Sequence, residues 1–149
     1  MADRRHRSVR MQSVAELAQD RERQEARRFG GLREDLRQQA LRLEELCAYR
    51  AQYSRQLAAA GAVDASRLRD YRSFLTRLNQ AIAQQERHLA QLRAETERQR
   101  AQWQAARHRV KAMDQVMTRL RQQERRARDR AEQREQDEMA LRSRGDPFA

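Results

Sequence analysis

Proline occurs once in this chain of 149 residues, glycine four times, and aromatic residues make up 5%. With so few turn formers, and apolar residues evenly diluted by charge, a globular core is excluded. Cys47 is the single cysteine, so there is no disulfide framework, and a reducing cytoplasm fits. No run approaches the roughly 18 apolar residues needed to span a bilayer. No hydrophobic segment follows the arginine-rich stretch Met1 to Arg10, which is therefore not a secretory signal. An organellar presequence is the alternative reading of Arg4, Arg5, Arg7 and Arg10. Catalytic chemistry is missing as well. His6, His88 and His108 have no cysteine or carboxylate at ligand spacing, and there is neither a glycine-rich phosphate loop nor a nucleophile paired with a base. The expectation is a protein that is not an enzyme, with no metal and no cofactor.

What the chain does have is charge, 37% of residues against 38% hydrophobic, with a mean hydropathy of −1.19. Such polarity suits either disorder or long helices. The net charge is +11 and is carried by arginine, Lys111 being the only lysine. A surplus of this kind suits nucleic acid, acidic headgroups or an acidic protein partner, although most arginines on a helix simply face solvent.

Periodicity decides for helix. With Leu68 at heptad position a, a seam runs through Leu68, Tyr71, Leu75, Leu78, Ile82, Leu89, Leu92, Trp103, Ala106, Val110, Met113, Met117 and Leu120. Only Gln85, Thr96 and Gln99 interrupt it, which is the signature of a coiled coil. Trp103, Met113, Val116 and Met117 read as packing residues. An earlier seam runs from Phe29 through Leu32, Leu36, Gln39, Leu43, Leu46, Arg50, Tyr53 and Leu57 to Ala60. Val14 and Leu17 lie one residue out of that register, which predicts a stutter before Phe29. Gly30-Gly31, in the same region, predicts a tolerated bend.

One break separates the two seams, at Ala58 to Ser66. Gly61 suits the left-handed position that closes a helix, and Asp64 or Ser66 suits the cap of the next. The expectation is an all-α, antiparallel two-helix coiled-coil hairpin with the second helix longer, as a single domain over 1–149. Helix one covers about 8–60, the turn 61–66, helix two about 67–142 and a tail 143–149. The seam of helix two then ends at Leu120, and 121–142 overhangs as a lone helix, held partly by a Glu124–Arg128 pair. Such an overhang is either a frayed end or a docking element.

Three aromatics near the turn exceed what the seam needs. Tyr53 lies at d, whereas Tyr49 and Phe74 both lie at g and face each other across an antiparallel pair. The next g pair, Arg42 with Ala81, leaves open surface, and Leu46 and Leu78 form the adjoining seam edge. Exposed rings of this kind mark a partner site, or else only shield the seam.

The spacing Leu46-x2-Tyr49-x3-Tyr53, followed by Tyr71-x2-Phe74-Leu75-x2-Leu78-x2-Ala81-Ile82, resembles the FliJ family of the flagellar type III export apparatus. The ending Asp137-Glu138-Met139-Ala140 is similar to that family's too. The resemblance implies a non-enzymatic stalk and adaptor that links a hexameric export ATPase (FliI-like) to the membrane export gate (FlhA-like) and escorts export chaperones. It also implies a cytoplasmic protein, monomeric when alone and peripheral to the membrane through its protein partners, with no nucleic acid bound. By motif, the gate-contacting surface falls on Leu46, Tyr49, Tyr53, Phe74, Leu78 and Ala81. Arg42 and Gln85 depart from the family's pattern. An injectisome stalk, a nucleic-acid-binding coiled coil and a homo-oligomeric scaffold are the alternatives.

Overall fold

The computed structural model describes the backbone of residues 2–145 and the side chains of 7–145; the end of the expected tail, 146–149, lies outside the described residues. Two helices, α1 (Ala2–Ala59) and α2 (Ala65–Gly145), form a helical hairpin with α2 the longer. Both helices outrun the sequence expectation. α1 begins before Ser8, and α2 continues past Arg142 to Gly145.

The turn follows from three residues. Ala60 N–H donates to the carbonyls of Gln56 and Leu57, at 3.1 and 3.2 Å, closing α1. Gly61 follows at φ 71°, where a side chain is costly. Asp64 Oδ1 then accepts from Arg67 N–H at 2.8 Å, while its carbonyl accepts from Leu68 N–H at 3.1 Å. Of the two candidate caps Asp64 serves, so α2 starts at Ala65 and Ser66 lies within its first turn.

Two compact units make up the hairpin, and each helix contributes a stretch to both. One unit comprises Gln24–Trp103 and includes the turn. Its core is Leu78, Ile82, Leu89 and Leu92 of α2, all buried. Each such side chain contributes about 1.5–3 kcal/mol by leaving water. Polar layers interrupt the leucines. Gln85 Nε2 donates to the carbonyl and to Oε1 of Gln39, at 3.0 and 2.9 Å. Gln99 Nε2 donates to the Glu25 carbonyl at 3.3 Å and to its carboxylate, and Glu25 is only 2% exposed. Buried Thr96 satisfies its hydroxyl on the Leu92 carbonyl. The pairs Glu25–Gln99, Gln39–Gln85 and Tyr53–Tyr71 succeed one another at two-heptad steps, in opposite directions on the two helices, so one antiparallel register holds throughout this unit.

The other unit comprises Met1–Arg23 with Gln104–Ala149. Ala106 and Met117 are buried there, and Met11, Ala15 and Ala18 of α1 are half-buried. Ala15 and Met117 line the same groove, a small side chain set beside a large one.

Two expectations fail along these helices. No stutter precedes Phe29: the heptad continues unshifted through Met11, Ala15, Ala18, Glu22 and Glu25, while Val14 and Leu17 stand 42% and 68% exposed. The seam of α2 also does not stop at Leu120, since Glu124, Ala127 and Ala131 are half-buried. The earlier start of α1 explains the extension, because Arg7 lines a groove together with Leu120, Gln123, Glu124, Arg126 and Arg130. Glu124 accordingly turns inward, its Oε1 buried without a hydrogen bond, and the expected Glu124–Arg128 pair does not form. Only 132–145 is exposed throughout.

Candidate partner-binding surface

Four of the seven aromatic residues converge beside the turn. Their meeting follows from the register, which sets d against d and g against g. Tyr53 lies at the centre, 5.1 Å from the Tyr71 ring and nearly parallel to it at 13°, and 4.6 Å from Phe74. Tyr49 packs edge-on against Phe74 at 5.9 Å and stacks toward Tyr53 at 6.5 Å. Each such pair is worth about 0.5–1.5 kcal/mol beyond the area it buries. Tyr71 also brings its hydroxyl to 3.5 Å from Ser54 Oγ. The cluster is therefore held by neighbours on both helices and is rigid enough to present a fixed face.

The expected site residues do not share one environment. Tyr49 is 50% exposed and dominates the outer face. Tyr53, Phe74 and Leu46 are half-buried, and Ala81 is exposed beside exposed Arg42. Leu78 is buried at 7% exposure, so it supports the surface from behind and offers a partner little area. Gln85 is a seam residue tied to Gln39. Arg50, expected at a seam position, is half-buried and extends its guanidinium to Asn79 Oδ1 at 3.0 Å.

Sequence reasoning overlooked the ground between the cluster and the turn. Tyr53, Leu57, Val63, Arg67, Asp70 and Tyr71 line a groove of about 300 Å³ there. Leu57 and Tyr71 read from sequence as seam, and Val63 as turn. The signal that identifies them is their meeting at the end of the seam, where no further heptad layer covers them.

Elsewhere the surface is mostly charged, with single apolar side chains such as Leu17, Leu41 and Met139 scattered along it. Arg37 holds the Glu34 carboxyl below its usual range through hydrogen bonds at 2.7 and 3.0 Å, and Glu34 raises Arg37 in return. Phe29 stacks on Trp103 at 5.5 Å and has the Arg33 guanidinium over its ring at 5.6 Å, so both rings belong to the hairpin's packing. Among the described residues no three His, Cys, Asp or Glu side chains are grouped to hold a metal ion, and no helix is long and apolar enough to cross a membrane.

No curated protein and no solved structure matches the chain. The family described as flagellar FliJ protein matches residues 7–145, nearly its whole length. A helical hairpin with an aromatic cluster beside its turn, matched over that span, belongs to the FliJ family and is a component of the flagellar protein export apparatus.

Proposed function

We propose that the chain acts as a stalk and adaptor, without catalytic chemistry of its own, that links an export ATPase ring to the membrane export gate and escorts export chaperones. The family supports a role among export components. The observation that carries the finer reading is the half-exposed Tyr49 ring, fixed by Tyr53 and Phe74 on a flank that the seam does not use. Rigid aromatics at the edge of a dry cluster are the groups that dominate protein interfaces. Leu46, Tyr49, Tyr53, Phe74 and Ala81 form the gate-binding face, with Leu78 beneath it. The protein works in the cytoplasm, held at the membrane only through its partners, and binds neither nucleic acid nor a cofactor.

The test is titration of the purified chain against the purified cytoplasmic part of a flagellar export gate. Tyr49→Ala with Phe74→Ala is expected to weaken binding by at least about 30-fold, the scale of a hot spot. Unchanged affinity in the double variant, with helix content preserved, removes the reading.

A further inference from the structure

The groove at the turn adds a second element to this surface. It shares Tyr53 and Tyr71, stacked on each other, with the aromatic cluster. Leu57 and Val63 supply apolar lining. At about 300 Å³ it lies at the small end of the range for binding pockets, too small for a folded element and sufficient for one large apolar side chain. Its surroundings are basic. Arg55, Arg67, Arg69 and Arg72 stand exposed around the turn against Asp64 and Asp70, and Asp64 is engaged in capping α2. Neither the Arg67 guanidinium nor the Asp70 carboxylate has an ion-pair partner among the described residues.

We infer that the groove receives a single leucine- or phenylalanine-sized side chain from an acidic segment of the partner that covers Tyr49. The inference rests on the reading of the aromatic face given above and extends it toward the turn. Apolar walls select the anchor, and the surplus of arginine selects carboxylates on either side of it. Binding therefore depends on two adjacent elements, a flat aromatic face and a hole beside it.

The experiment titrates the full chain, as wild type, Tyr49→Ala, Val63→Trp and Arg67→Glu, against the purified cytoplasmic part of the export gate at two salt concentrations. Val63→Trp fills the groove from the turn, outside both helices. It is expected to weaken binding by about tenfold or more. Arg67→Glu changes an exposed side chain, so it probes the same groove even where Val63→Trp disturbs the turn. It is expected to weaken binding and to reduce the dependence on salt. Wild-type affinity in both Val63→Trp and Arg67→Glu, with Tyr49→Ala impaired, overturns the groove and leaves the aromatic face standing. Wild-type affinity in all three variants, or no binding by the wild-type chain, overturns both.

Discussion

Gln39 and Gln85 show how a polar pair behaves inside an apolar seam. Gln85 donates and Gln39 accepts, so removing one leaves an amide without that partner, whereas removing both removes the need for it. Gln85→Leu is expected to lower stability by about 1 kcal/mol in urea denaturation, and Gln39→Leu with Gln85→Leu to return it to the wild-type value or above. Glu34 offers a test of opposite character, at an exposed site. The hydrogen bonds from Arg37 hold its carboxyl below the usual glutamate range in the folded chain. The contribution it makes is therefore present above the unfolded value and is lost as pH falls through the lower folded one. Because the pair is exposed, the shift is expected to shrink as salt is added, and a carbon-detected NMR titration of Glu34 with and without salt measures it.

At the scale of the helices, Gly30 and Gly31 are the plainest weakness. α1 passes through them as helix, and a Cβ at either would meet nothing within 4 Å. Gly30→Ala and Gly31→Ala are each expected to add about 1 kcal/mol of stability, raising the thermal midpoint without changing the hairpin. Asp64→Ala is expected to cost about 1 kcal/mol, since it removes the cap of α2. The same elements mark what sequence discloses. The turn at Gly61, the seam of α2 and the meeting of Tyr49 with Phe74 follow from spacing alone, because one unbroken period carries them. The stretch before Phe29 was not legible. Val9, Val14 and Leu17 are its most apolar residues, yet they face solvent, while Glu22 and Glu25 face the seam. What decides this is the partner helix, since Gln99 supplies the hydrogen bonds that make Glu25 acceptable there. Hydrophobic pattern read on one helix does not contain that information. Leu57, Val63 and Tyr71 escaped for a related reason, since a groove belongs to the end of a pair and not to a period.

For the molecule as a whole, +11 is a standing repulsion. Stability is expected to rise as sodium chloride is added at low concentrations, because screening relieves like charge more than it weakens exposed pairs within one helix such as Asp20–Arg23, Glu34–Arg37 and Glu97–Arg100. Truncation separates structure from overhang. Ending the chain after Ala131 is expected to leave the unfolding midpoint unchanged, since 132–145 is exposed throughout. Ending it after Leu120 removes half-buried Glu124, Ala127 and Ala131 and is expected to lower the midpoint, as followed by circular dichroism.

The two-heptad alternation of layers also sets what tension can do to the unit that holds the turn. Sliding α1 by one heptad along α2 sets Gln39 against Leu92 or Leu78, so each amide meets a hydrocarbon, and Leu32 meets Gln85 or Gln99 in place of Leu92. The seam is keyed like a lock with unequal wards. Intermediate positions are the worst ones, and the hairpin should carry a pull without creeping.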